Sequence, residues 1–77
     1  MKRIQILCAA SDCDEFSRNV QIATRNFRSE YVVETITDMN KILEYGVMYT
    51  PALIVNGEVK MVGKIPDPDE ILHFIED

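Results

Sequence analysis

Asn56-Gly57 lies between two apolar runs within Met48 to Gly63, and a turn of this kind sharply limits the folds open to this chain. Both turn residues tolerate positive φ, so the pair predicts a two-residue hairpin and two antiparallel strands. Thr50-Pro51-Ala52 stands immediately before the first of them. A proline that opens a strand suits a sheet, because its missing N–H falls before the ladder begins. It also makes a cis peptide bond accessible, where any other residue would cost several kcal/mol.

The remaining elements follow from periodicity and end signals. Arg3 to Cys8 reads as a strand, with Ile4, Ile6 and Cys8 on one face and Leu7 strengthening the other. Phe16, Val20, Ala23 and Phe27 recur at helical spacing, which predicts a helix from Cys13 to Arg28 capped by Ser11 or Asp12. Asp14 and Glu15 would lie in its first turn and Arg25 and Arg28 in its last, as the helix dipole favours. Tyr31 to Ile36 is rich in β-branched and aromatic residues and predicts a second strand. Thr37 or Asp38 then caps a short helix whose apolar positions are Met39, Ile42 and Leu43, and Gly46 stops it. Asp67-Pro68-Asp69-Glu70 opens a last helix, with an N-cap, a proline at the first helical position and an acid three residues on. Ile71, Leu72 and Ile75 form its buried stripe. The order is β-α-β-α-β-β-α. Strands one and two should be parallel with a right-handed crossover, and strands three and four antiparallel.

Composition narrows the class. A chain of 77 residues fits a single small domain, 1–77, with one modest core. The net charge of -5 argues against a general electrostatic footprint for nucleic acid. No apolar run approaches the roughly 20 residues that span a bilayer. Met1-Lys2-Arg3 followed by Ile4 to Ala10 faintly resembles a secretory leader. Cleavage there would remove a well-patterned strand, so the segment reads as structure and the expected compartment is the cytoplasm. With only two cysteines, Cys8 and Cys13, this is not a disulfide-stapled secreted scaffold, and both are expected as thiols by default.

At this level the pattern resembles the thioredoxin fold, and more closely the small single-domain thioredoxin-like and glutaredoxin-like proteins of bacteria and archaea. The resemblance covers nearly the whole chain. It is carried by Arg3-Ile4-Gln5-Ile6-Leu7, Glu44-Tyr45-Gly46-Val47, Thr50-Pro51-Ala52, the hairpin, and the run from Gly63 to Glu70. It implies an α/β fold with a four-stranded mixed sheet, helices on both faces and a cis proline at Pro51. It implies too that this proline loop faces a Cys-x-x-Cys motif at the start of the first helix. Here the chain departs from the family. Aligned without gaps, Ser11 and Asp14 occupy the two cysteine positions; slipped by one residue, Ala10 and Cys13 do. Neither register gives the dithiol.

Cys13 sits where a nucleophile would, at or just inside the helix start. The helix end favours a thiolate by roughly 0.3–1 kcal/mol. Asp12, Asp14 and Glu15 oppose it, each by roughly 1 kcal/mol at a few Å even in a high dielectric. Strong activation is therefore not expected. Cys8 has two readings. One is a small core residue beside Ile4 and Ile6. The other is a reversible disulfide with Cys13, for which the loop must curl from an extended reach of about 17 Å to within about 6 Å. The inward strand face of Cys8 favours the core reading.

The resemblance also implies that Thr50-Pro51 pairs through its backbone with a bound partner, with Tyr49 beside it and Ser11 and Asp14 opposite. His73, the only histidine, lies off the apolar stripe of the last helix and reads as a solvated residue. No spacing suggests a structural zinc site, and no glycine-rich phosphate loop is present. No metal and no cofactor is expected. Two functions remain open. The first is thiol-redox exchange through Cys13 alone, or through Cys13 with Cys8 as resolving thiol, acting on a protein, a peptide or a small thiol. The second is a degenerate module that has kept the fold and binds a partner at the proline loop without chemistry. Alkylation of the reduced protein across pH should show little Cys13 thiolate well below pH of about 7; abundant thiolate there would contradict the charge argument.

Overall fold

The computed structural model describes residues 1–76. Its elements are β1 (Lys2–Leu7), α1 (Ala10–Thr24), β2 (Tyr31–Ile36), α2 (Met39–Glu44), β3 (Ala52–Val55), β4 (Glu58–Val62) and α3 (Pro68–Glu76). The strands form one four-stranded sheet in the order β2-β1-β3-β4. β1 and β2 are parallel, whereas β3 is antiparallel to both β1 and β4. The sheet is mixed and has helices on both faces, as the resemblance implied.

Each face gathers its own core. Ile4, Ile6, Cys8, Leu53 and Val55 pack on one side with Phe16, Val20 and Ala23 of α1 and Ile71 and Ile75 of α3. Leu7, Ala52 and Ile54 pack on the other with Ile36, Ile42 and Val47. β1 and β3 are covered on both faces, so every residue of Ala52–Val55 is buried and the strict alternation of a one-sided strand disappears. Gln5 is the polar exception within β1. It is only 2% exposed, and its Nε2 donates to Glu34 Oε1 at 2.9 Å and to the Tyr45 hydroxyl at 2.7 Å. Those bonds satisfy the amide nitrogen that burial would otherwise leave unpaired.

The turn chemistry read from the sequence is present. Asn56 and Gly57 take φ of 51° and 83°, the double positive φ of a type I′ hairpin. Asn56 also ties the turn to β1. Its N–H donates to the Arg3 carbonyl, and its Oδ1 accepts from the Arg3 N–H, both at 2.8 Å. At α3 the capping box closes in both directions. Glu70 N–H donates to Asp67 Oδ1 at 2.8 Å, and Asp67 N–H donates to Glu70 Oε1 at 3.2 Å.

Four boundaries and one packing expectation differ: β1 starts at Lys2 rather than Arg3, and Leu72 of the α3 stripe is only half-buried. β1 ends at Leu7, although Cys8 N–H still donates to the Ile36 carbonyl at 3.2 Å and so keeps the strand's parity. α1 starts at Ala10 rather than Cys13, capped by Ala9, whose side chain cannot announce a cap. Ser11 and Asp12 are therefore inside the first turn, and Asp14 and Glu15 lie beyond it. α1 also ends at Thr24 rather than Arg28. Thr24 Oγ1 turns back to the Val20 carbonyl at 2.9 Å, and the Phe27 N–H closes a tight turn on the Thr24 carbonyl at 3.1 Å. Arg25 is thus the C-cap and Arg28 lies outside the helix. In α2 only Ile42 is buried; Met39 and Leu43 are exposed, because so short a helix presents a single residue to the sheet.

Among the described residues no helix is long and apolar enough to cross a membrane. Asp67→Ala removes one half of the capping box and should cost about 0.5–2 kcal/mol. Urea unfolding should show this as a lower midpoint at an unchanged slope. A midpoint equal to that of the parent protein would contradict the capping role.

Candidate functional site: a disulfide beside a proline loop

Cys8 and Cys13 are joined by a disulfide, with their Cα atoms 5.4 Å apart. That distance lies inside the range a disulfide spans without moving the backbone. No cysteine is free. This corrects both the expectation of two thiols and the weight given to Cys8 as a plain core residue. Inward orientation and pairing turn out to be compatible. The ladder bond at Cys8 holds its side chain on the face that α1 covers, so the inward direction points at the helix and not away from it.

The early start of α1 supplies the rest. Ala9 is extended, with φ of -91° and ψ of 159°, and the chain then turns at once into helix. Ala10 to Cys13 rises about 1.5 Å per residue instead of the roughly 3.3 Å of an extended loop, which folds the path back over Cys8. Cys13 is the fourth helical residue, one turn in from the cap. The N–H groups left free at a helix start belong to the residues before it. The position assumed from the sequence, at the open helix end, is displaced by that turn.

The two halves of the bond differ in exposure. Cys8 is fully buried among Ile4, Ile6 and Phe16, whereas Cys13 is half-buried at the edge of the same cluster. Cys13 Sγ lies 3.4 Å from the Ala9 carbonyl oxygen. In the reduced protein a Cys13 thiol can donate its weak hydrogen bond there. Asp12 is half-buried, while Ser11, Asp14 and Glu15 are exposed around the helix start.

Sheet register brings the proline loop to this place. Leu7 is paired with Ala52 in the antiparallel β1–β3 ladder, so Pro51 is level with Cys8. The Thr50–Pro51 bond is cis, and Pro51 is buried. Its carbonyl accepts from the Gly63 N–H at 2.8 Å, which fastens the loop to the end of β4. Gly63 itself has φ of 92°, a conformation natural to glycine. The sequence reading missed this glycine as a site element; its place one residue past the hairpin's second strand was the available signal. Tyr49 is exposed and Thr50 half-buried. Cys8, Cys13 and Pro51 thus sit together at one end of β1 and β3, with Thr50 and Tyr49 leading into them. Ser11 and Asp14 share the first turns of α1 with Cys13, and no hydrogen bond or ion pair joins them to the loop. His73 is exposed on α3 with its ring against Phe74, and no group of metal-ligating side chains occurs among the described residues.

A bonded cysteine pair at a strand-to-helix junction and a proline loop at the same end of a β2-β1-β3-β4 sheet are the arrangement of a thioredoxin-like fold. Comparison with known proteins gives the same class. The thioredoxin domain family model matches residues 2–76, and the chain belongs to that family. It is 32% identical over 76 residues to a thioredoxin of Methanothermobacter thermautotrophicus, an alignment that covers 97% of this chain and 99% of that relative. It is also similar to a probable thioredoxin of the same organism, 38% identical over 61 residues, covering 75% of this chain and 71% of the relative. A probable thioredoxin of Methanothermobacter marburgensis is 36% identical over the same length, 61 residues, with 75% and 71% covered. The protein is a thioredoxin-like protein related to thiol–disulfide redox proteins.

Its two cysteines, however, are spaced Cys-x-x-x-x-Cys. Without reductant the native protein should take up no thiol label, and its intact mass should lie two hydrogens below that of the reduced form. Labelling of both cysteines before any reductant is added would contradict the pairing.

Proposed function

We propose that Cys8 and Cys13 form the working pair of a cytoplasmic thiol–disulfide exchange protein, with the Thr50–Pro51 loop as the edge that receives its partner. The observation that carries this reading is the asymmetry of the bond: one sulfur buried level with Pro51, the other half-exposed. In a reducing compartment a disulfide is ordinarily transient and catalytic or redox-sensing rather than structural, which favours a functional bond here.

Exchange begins at the accessible sulfur. A thiolate of a partner attacks Cys13 Sγ, the Cys8–Cys13 bond breaks, and Cys8 leaves with the electron pair and takes up a proton. A second thiol of the partner, or a second small thiol, attacks the partner's sulfur in the mixed disulfide and releases Cys13. Two electrons and two protons have then passed to the protein, and the partner holds the disulfide. In the opposite direction Cys13 is the nucleophile and Cys8 resolves the intermediate.

The buried position of Cys8 suits the resolving role, since only an intramolecular sulfur reaches it. The backbone at Thr50 offers groups to an extended peptide, Tyr49 supplies an exposed aromatic face beside it, and Ser11 and Asp14 border the other side. The carboxylates of Asp12, Asp14 and Glu15 favour a partner or small thiol that brings positive charge to Cys13. A binding module without chemistry has less support, because the two cysteines, though not spaced Cys-x-x-Cys, are bonded to each other at the helix start.

With dithiothreitol as electron source, the protein should accelerate reduction of insulin disulfides. Cys13→Ser should abolish that turnover, and Cys8→Ser should trap a mixed disulfide on Cys13. Wild-type protein indistinguishable from buffer would overturn the proposal.

A further inference from the structure

β2 is an outer strand of the sheet, and its free edge is unusually open. Tyr31 to Thr35 are all exposed, including the apolar Tyr31, Val32 and Val33 at 39%, 45% and 42%. The strand contains no proline, no lysine and no bulge, the usual guards of a sheet edge. β4, at the opposite edge, carries Lys60 and an irregular register against Leu53 and Ile54.

The backbone parity of β2 is fixed at both ends. Lys2 N–H donates to the Glu30 carbonyl at 2.9 Å, and Cys8 N–H donates to the Ile36 carbonyl at 3.2 Å. In a parallel ladder the intervening residues alternate, so Val32 and Glu34 also turn their backbone groups to β1. Tyr31, Val33 and Thr35 therefore turn theirs outward, toward the open edge.

We propose that two copies of this chain pair through β2, antiparallel and centred on Val33, which joins two four-stranded sheets into one. A twofold axis through the sheet must match outward residues with outward residues, and that leaves few registers. Centring on Val33 sets Val33 against Val33 of the second copy and Tyr31 against Thr35. All three outward residues of each copy are then used, in about six interchain hydrogen bonds. Centring on Glu34 brings two carboxylates opposite one another at a Cα separation of about 4.5 Å, a repulsive arrangement. Centring on Val32 sets Glu30 against Glu34 and loses the Thr35 pairings.

Charge supports the same register. Glu34 falls opposite Val32 of the second copy, and the residue registered with Val32 on β1 is Arg3. Arg3 already reaches its own Glu34 at 3.6 Å, with both side chains more than half exposed. In the pair each Glu34 also comes within two strand spacings, about 10 Å, of the second copy's Arg3, near enough for long side chains to meet. A row of alternating charge then crosses the seam. β3 and the proline loop lie on the far side of β1, so both disulfides stay accessible and point to opposite ends of the joined sheet.

Sedimentation equilibrium of the intact protein from micromolar to near-millimolar concentration should show a monomer–dimer transition. Val33→Pro removes an outward N–H without touching the β1 ladder, and Val33→Lys sets two ammonium groups against each other. Both should abolish the dimer with unchanged circular dichroism; should Val33→Pro not fold, Val33→Lys decides alone. Hydrogen exchange should show Tyr31, Val33 and Thr35 amides protected in the wild-type dimer and unprotected in Val33→Lys, with Val32 and Glu34 protected in both. A wild-type protein that stays monomeric throughout, or a dimer that survives Val33→Lys, overturns the proposal.

Discussion

β1 is the strand on which the other parts depend, because it pairs on both sides and is covered on both faces. Its parallel ladder to β2 continues one residue past the strand and fixes the direction of Cys8. Its antiparallel ladder to β3 brings Pro51 level with that cysteine. Its apolar face receives α1, whose first turn carries Cys13 back over Cys8. A single run of six residues thus positions both sulfurs and the loop beside them. Gln5 shows what such a place demands of a polar side chain: buried inside the sheet, it persists by donating to Glu34 and Tyr45.

The disulfide adds a constraint of its own. It ties the end of the central strand to the first turn of the helix that follows, so the junction is closed by main-chain ladder and covalent bond together. Burial of one sulfur and partial exposure of the other gives the bond a direction for attack, which a symmetric exposed bridge lacks. The neighbouring carboxylates make that entrance acidic. Charge at the entrance bears on which partners approach, while the proline loop bears on how an extended chain would lie once there.

Local signals carried much of this into the sequence. The Asn56-Gly57 turn, the Asp67–Glu70 capping box, Tyr31–Ile36 and the Asp38 cap of α2 each rest on residues a few positions apart, and each was legible for that reason. The start of α1 was not, since Ala9 caps the helix with no side-chain bond and leaves no mark. Expecting the helix at Cys13, the sequence reading placed a loop between the cysteines and counted the inward face of Cys8 against pairing. The register that joins Leu7 to Ala52 is a contact between residues far apart in the chain, and no local pattern announces it. Periodicity has a different limit at Met39 and Leu43. Their spacing is that of a buried stripe, but α2 is too short to bury more than Ile42.

Work as an exchange protein requires that the Cys8–Cys13 bond be exchangeable under physiological redox conditions and not a permanent brace. The direct measurement is equilibration of the native protein in glutathione buffers of stepped potential, with acid quenching and mass analysis of the oxidised fraction. One reversible two-electron transition is expected within the span of known exchange proteins, about -270 to -120 mV. A bond that stays fully oxidised to below about -300 mV, as structural disulfides do, would contradict it.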